Sequence, residues 1–502
     1  MNSFMNNLSN RQNYTKTENG ALSHESTTSA VYDMFAVGGA YRNRSNEDCI
    51  LLFKNALEED EALALKTLFY LRDIRGGQGE RRFFRVCFNW LAEHYPDIAE
   101  RNLINVPEYG RWDDLIYSVF NTPLELNALR LIKHQLALDL ESETPSLLGK
   151  WLPSENASSE TTKKAGKHIR QYLHITSREY RKILSALRAR INVLEKLMSE
   201  QRWDEIEFDK IPSKAGLVYR NAFMHRDELS ERYRAFINSK QTTVNANLYP
   251  YEIVHKVIRD YFDFTHEDRA VLEKYWNNLP DYFNGSEESM LCVVDTSGSM
   301  YGMPLEVAIS LGIYCGERSQ GPFHNYYISF SREPKLVHIE GLDIMDKVQR
   351  IWRKTINENT DLIKVFSLLK SIALMPSTKR EDIPKAIVII SDMQIDSGLN
   401  TSRRFWYYDS DNDSSSVRIT KDNISTEMEK VRQEWEADGL EMPRLVYWNV
   451  DARGQANILD LGPNVSYVSG FSPVVFKTVL TGKSGYQLML EVLTSDRYLN
   501  VY

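Results

Sequence analysis

The chain has 502 residues, 42% apolar and 26% charged, which is ordinary globular composition and long enough for two to four domains. Its net charge of −8 argues against a protein that coats nucleic acid over its whole surface. No apolar run reaches the ~18 residues of a membrane helix, the polar start MNSFMNNLSNRQNYTKTENG lacks the apolar stretch of a signal peptide, and Cys49, Cys87, Cys292 and Cys315 form no CxxC or Cys/His cluster. These features argue against a zinc site or disulfide framework and for a reducing, cytoplasmic setting without a membrane partner.

Residues 1–30 are rich in Asn, Ser and Thr with few apolar anchors, and a disordered tail is expected there. Residues 31–285 carry helical periodicity. EALALKTLFYLRDI (61–74) and REYRKILSALRARINVLEKLMSE (178–200) repeat apolar residues three and four apart. RGGQGER (75–81), VPEYGRWDD (106–114), WLPSENASS (151–159) and IPSKAG (211–216) interrupt them. Helices joined by short breaks predict an α-solenoid or irregular helical array, although no strict repeat fixes a period.

Residues 286–502 change character. The apolar runs MLCVVD (290–295), NYYISF (325–330), KAIVIISD (385–392) and RLVYWNV (444–450) read as buried strands. Helical patterns at 304–319, 360–375 and 426–439 alternate with them, which predicts an α/β domain with a parallel sheet. The polar stretch 403–423 reads as part of a long surface insertion beginning near 397. The whole chain is therefore expected to be α + α/β.

The chemistry concentrates where these strands end. DTSGSM places Asp295, Ser297 and Ser299 on one loop; Thr360 follows in NENTD, with Thr355 five residues earlier, and Asp392 closes IISD. Hydroxyl and carboxylate oxygens suit a hard divalent cation such as Mg²⁺, which takes six oxygens and keeps several waters. Neutral hydroxyls bound directly, with aspartates accepting hydrogen bonds from bound water, leave the ion electron-poor and able to take a carboxylate or phosphate from a partner. The competing reading is a Ser/Asx turn capping the helix that begins near Pro304. His324 and His338 match no catalytic pattern, and a non-enzymatic protein is expected.

In the helical half, residues 161–240 hold 18 Lys and Arg against 10 Asp and Glu, while residues 287–502 hold 23 against 29, so basic character is local. Residues 161–190 contain nine basic side chains and one acid, Glu179, with Tyr172 and Tyr180 between them. Such a stretch suits phosphate contacts with occasional base stacking, and equally a solvated helix face. The candidate RNA contacts are Lys163, Lys164, Lys167, Arg170, Arg178, Arg181 and Lys182, joined by Arg75, Arg81 and Arg82. RGGQGERR offers backbone amides for phosphate but lacks the Lys-Ser/Thr ending of a P-loop. Asp113 and Asp114 in YGRWDDLI read as helix-start residues.

The DxSxS, Thr and Asp set resembles the metal-ion-dependent adhesion site of von Willebrand factor A domains. FAVGGAYRNRS (35–45), RDIRGGQGERR (72–82) and YGRWDDLI (109–116) resemble the TROVE module of the Ro autoantigen. GKWLPSENAS, REYRKILSALR and WDEIEFDKIPSKA are more similar to a related uncharacterised family that joins such a module to an A-like domain. The resemblance spans roughly 31–500. It implies a HEAT-like helical ring beside a doubly wound, Rossmann-like A domain, with single-stranded RNA ends in the ring and structured RNA on its basic face. The expected function is a Ro-like ribonucleoprotein with a metal-dependent interaction domain. The alternative is a scaffold that binds a partner carboxylate through Mg²⁺ without RNA.

Overall fold

The structure is a computed structural model that describes residues 13–191, 194–239, 241–244, 248–259, 265–286, 288–330, 334–354, 361–394, 425–452 and 457–502. The insertion expected near 397–423 lies outside these residues, as do Thr355, Thr360 and residues 1–12.

The polar N-terminal segment corrects the first expectation. Between Tyr14 and His24 the chain is a hairpin, β1 (Tyr14–Lys16) against β2 (Leu22–His24), turned through Gly20 at φ +85°. Tertiary contacts supply the stability its composition lacks. His24 pairs with Ile458 in an isolated bridge, and its ring bonds Glu429 at 2.9 Å.

Helices follow from Ala30 to Asn277, several of their starts marked by a side chain that accepts an otherwise unbonded amide. Ser29, Ser45, Asp60 and Ser159 cap in this way, and Thr176 with Glu179 and Thr265 with Asp268 form reciprocal capping boxes. Each such cap contributes about 1 kcal/mol. The helix predicted from 61 is Glu61–Arg72. The one predicted over 178–200 is two helices, Ser177–Arg190 and Leu194–Ser199. The apolar spacing continues through the break and hides it. Arg190 at the break donates to the carbonyls of Leu140 (2.8 Å) and Ser142 (3.2 Å), satisfying the end of helix Glu125–Glu141.

The C-terminal half is a six-stranded mixed sheet in the order β5-β4-β3-β6-β7-β8, with helices packed on it. The strands are β3 (Met290–Asp295), β4 (Tyr326–Phe330), β5 (Lys335–His338), β6 (Ala386–Ser391), β7 (Arg444–Asn449) and β8 (Val465–Ser469). All pairings are parallel except β4 with β5. Every residue of β3, β6, β7 and β8 is buried, as expected where helices cover both faces. Helix Met303–Arg318 lies close on β3: a Cβ added to Gly312 would meet Val294 Cγ2 at 2.6 Å. The four expected strands and three expected helices are present; β5, β8, helix Ile344–Lys354 and the C-terminal helices Val474–Val479 and Gly485–Leu493 are additional.

The two halves join at both ends of the helical array. Helix Ala30–Val37 covers the β8 edge, where the Tyr467 amide donates to Tyr32 Oη at 2.9 Å and the Gly39 amide to Ser469 Oγ at 3.0 Å. The C-terminal tail docks on the same region. Fully buried Asp73 accepts from Arg497 at 2.7 Å and from Tyr498 Oη at 3.0 Å. At the other end, helices Pro250–Arg259 and His266–Asn277 pack on the sheet domain. Trp276 donates to Glu317 at 2.6 Å, Arg269 to Asp343 at 2.9 Å, and the His255 ring bonds Glu306 at 2.7 Å. Tyr249 also reaches Gln78 O at 3.3 Å, so the last helices touch the loop after the early helix Glu61–Arg72.

Candidate metal centre and basic helices

The switch point of the sheet lies between β3 and β6. The chain leaves β3 toward β4 on one side and returns through β6 on the other, which opens a crevice at the carboxyl ends of both strands. Asp295 and Asp392 reach that crevice, the first as the last residue of β3 and the second just beyond β6. Both are buried, at 0% and 1% exposure. Asp295 Oδ1 accepts the Ser297 amide at 2.9 Å, and Oδ2 accepts the Ser391 hydroxyl at 2.5 Å. Ser297 and Ser299 turn their hydroxyls together, Oγ to Oγ 3.0 Å. Burial and, second, the charge on Asp392 push the Asp295 carboxyl up to about 7. Two carboxylates share a water-poor crevice, a cost that a cation between them would relieve.

The following loop is held in an uncommon backbone. Met393 has φ +62°, a left-handed conformation costing a branched-free side chain of order 1 kcal/mol. Its amide donates to Ser391 Oγ at 3.0 Å, and the Gln394 amide donates to Asp392 Oδ1 at 3.1 Å. The N-terminal hairpin braces this loop: the Glu18 amide donates to Gln394 Oε1 at 2.8 Å, and Asn19 Nδ2 to Gln394 O at 2.6 Å. Ser391, Gln394 and the hairpin contacts were missed in the sequence. Ser391 had a signal, a hydroxyl closing an otherwise apolar strand; the hairpin, nearly 400 residues away along the chain, had none. Beyond Ser299 the loop presents Tyr301, 74% exposed.

Four of the five expected metal residues therefore meet at the strand ends, while Thr360 lies outside the described residues. Among the described residues no group of three or more His, Cys, Asp and Glu could hold a metal ion. His324 bonds the Ser319 carbonyl at 2.9 Å, and His338 stacks on Tyr326. All four cysteines are free and buried.

In the helical half, RGGQGER packs back on the end of helix Glu61–Arg72. The amides of Gln78, Gly79 and Glu80 donate to the carbonyls of Tyr70, Asp73 and Leu71 at 3.1, 3.1 and 2.7 Å, and are closed to an anion. A Cβ on Gly77 would stand 2.0 Å from Tyr70 O, which explains the glycine. Arg82 donates to Asn46 Oδ1 at 2.7 Å and leans on the carbonyls of Tyr41 and Arg42. Arg75 pairs with Glu108. Asp113 and Asp114 take the helix-start role expected of them and also anchor arginines: Arg85 reaches both, and Arg72, 1% exposed, reaches Asp114 at 2.9 Å.

Within the basic stretch, Arg170 is held by Glu155 at 2.7 Å and Lys163 by Glu160 at 2.6 Å. Tyr180 is buried and donates to Pro153 O, so it is no stacking platform. Lys164, Lys167, Arg178, Arg181 and Lys182 are exposed. Arg81 is also exposed, and its charge acts on Arg111, which was not foreseen as a contact. Burial lowers the Arg111 guanidinium, and the positive charges of Arg72 and Arg81 act in the same direction against Asp113 and Asp114. Arg111 lies over the Trp151 ring at 4.5 Å, and Lys150 lies 5.6 Å from the same ring.

Residues 17–119 and 145–284 match a family described as a domain of unknown function, DUF2828, and residues 289–495 match another, DUF7788. The chain is 28% identical over 528 residues to the uncharacterized protein L728 of Acanthamoeba polyphaga mimivirus, covering 96% of this chain and 87% of that one. A crystal structure of the Deinococcus radiodurans Ro (RSR) protein covers 93% of this chain and 99% of its own, with 11% identity and a TM-score of 0.43. That likeness is too low to assign a function. The chain thus resembles two domains of unknown function in tandem, matched along nearly its whole length by a mimivirus relative.

Proposed function

We propose that this chain is a non-enzymatic docking protein whose C-terminal, A-like domain binds a partner carboxylate through a divalent cation, Mg²⁺ by donor chemistry. The supporting observation is the convergence of Asp295, Ser297, Ser299 and Asp392 at the switch point of the sheet. The donor set fits: hard oxygens only, two of them neutral hydroxyls, backed by buried carboxylates that repel each other without a cation. Ser297 and Ser299 would hold the ion directly, and the aspartates would orient its waters. The bound ion would supply an electrophilic position for an incoming carboxylate, and exposed Tyr301 an apolar surface next to it.

The test is thermal melting with Mg²⁺ and with EDTA. Mg²⁺ at about a hundred times its dissociation constant stabilises by about 2.7 kcal/mol. The wild type is expected to gain stability from Mg²⁺, and the Ser297→Ala/Ser299→Ala double variant to gain none. A wild-type melt indifferent to both additives would sink the reading.

Arg111 and Lys150 at the Trp151 ring, with Arg81 acting on Arg111 and the exposed part of the 161–190 stretch, favour a second reading: RNA binding by the helical half. The two readings are compatible, because the residues are separate.

A further inference from the structure

A cavity of about 550 Å³ opens between the short helix Leu148–Trp151 and helices Ser177–Arg190 and Leu194–Ser199. Its volume falls within the ~300–1,000 Å³ of small-ligand sites and is large for a lone inorganic anion. Trp151 and Leu184 supply apolar wall, and Lys150, Arg181, Arg188 and Lys196 supply positive charge.

Only part of this charge is balanced locally. Of the carboxylates in the lining, Glu155 is held by Arg170 at 2.7 Å and Glu200 by Arg202 at 3.0 Å, both cations from outside the lining, and Glu200 also pairs with Lys196 at 3.5 Å. Glu195 interacts with Tyr219. Arg188 donates only to neutral oxygens: Gly149 O at 3.0 Å, Leu152 O at 2.9 Å and Ser154 Oγ at 3.0 Å. Arg181 donates to Ser177 O at 3.2 Å, and among the described residues neither it nor Lys150 forms an ion pair. Lys150 and Arg181 thus share one cavity with no carboxylate of their own, while the packing engages Arg188 and Glu200 engages Lys196. Arg111 over Trp151 fixes the indole from outside the lining, and Asn156, with both a donor and an acceptor, borders the same space.

We propose that this cavity binds a nucleoside phosphate, free or as part of an RNA strand, with the base against Trp151 and the phosphate taken by Arg181 and Lys150. A guanidinium matches phosphate by paired donors, and an indole accepts any base face. The site extends the RNA reading to one address, yet needs only a mononucleotide and no metal.

The experiment is calorimetric titration of the full chain, in EDTA, with AMP, GMP, CMP and UMP, with inorganic phosphate, and with a short single-stranded RNA. At least one mononucleotide is expected to bind with a dissociation constant below about 1 mM and at least about tenfold more tightly than phosphate. Arg181→Glu, at an exposed position, is expected to weaken it about tenfold or more with an unchanged circular dichroism spectrum. Lys477→Glu, exposed on helix Val474–Val479 of the sheet-containing half, serves as the charge control and should change little. Mononucleotides binding no better than phosphate, or binding unaltered by Arg181→Glu, would overturn the proposal. If the strand still binds in that case, the RNA reading survives without this cavity. If mononucleotides bind through Arg181 and the strand does not, the cavity stands and the RNA reading falls.

Discussion

The crevice at the ends of β3 and β6 and the basic helices of the N-terminal half handle their charged residues in opposite ways. In the crevice, Asp295 and Asp392 are buried with like charges facing each other, and the sheet framework tolerates the cost. In the helical half, conspicuous arginines have been absorbed into packing: Arg72 and Arg85 on the Asp113–Asp114 pair, Arg82 on the first helices, Arg188 and Arg190 on helix ends. Charge held against its own electrostatics points to a ligand; charge matched by local carboxylates and carbonyls points to architecture. The lesson is to ask where each charge is balanced before assigning it a function.

The sharpest way to break this contrast is to remove an architectural charge. Asp114→Ala strands Arg72 and leaves Arg85 with Asp113 alone, and breaking a buried pair costs about 3–5 kcal/mol. A large loss of melting temperature is expected, with no change in Mg²⁺ response for whatever folded protein remains. A stable Asp114→Ala protein that has lost ligand binding would reverse the assignment.

A smaller effect tests the crevice through pH. Asp295 is raised to about 7 in the folded chain, against about 3.9 for an unfolded aspartate. The folded state therefore binds more protons between these values. Stability from this group is present below the unfolded value and lost as pH rises through about 7. In EDTA, melting temperature should fall as pH rises across that window. Asp295→Asn should flatten the fall, and Mg²⁺ should offset it at the upper end. A wild-type profile in EDTA indistinguishable from that of Asp295→Asn would mean that the two aspartates do not strain the fold.

The smallest expected effect separates the exposed lysines from the engaged arginines. Under the RNA reading, Lys164→Ala and Lys167→Ala should each reduce the slope of log affinity against log salt by about 1. Arg82→Ala should leave the slope alone while lowering stability. Fluorescence anisotropy across a salt series reads both. Equal slopes for wild type and the double lysine variant would remove this helix from any RNA surface.

Much of the architecture was legible because periodicity reports burial directly. The four all-apolar strands and the amphipathic helices are written in local patterns, and so is DTSGSM, whose residues act within one loop. The hairpin at 14–24 was not legible: its polar residues are ordered by Gln394 and Ile458, partners about 400 residues distant. β8 was missed because VSYVS alternates serine with larger side chains, and only tertiary packing, from helices Ala30–Val37 and Gly485–Leu493, makes the strand wholly buried. The glycine-rich loop misled for a related reason. Sequence shows which backbone could approach a phosphate, but only the folded chain shows that the amides of Gln78, Gly79 and Glu80 already have acceptors.

The sequence by itself determined the element types, the division between a helical and a sheet-containing half, and the oxygen-rich chemistry at 295–299, since these depend on residues a few positions apart. Tertiary structure decided the rest: that Asp392 and Ser391 stand beside Asp295, that the helical array meets the sheet domain at both ends, and which cations keep their charge unbalanced. Those outcomes depend on distances between residues tens to hundreds of positions apart, set by packing that no local pattern encodes.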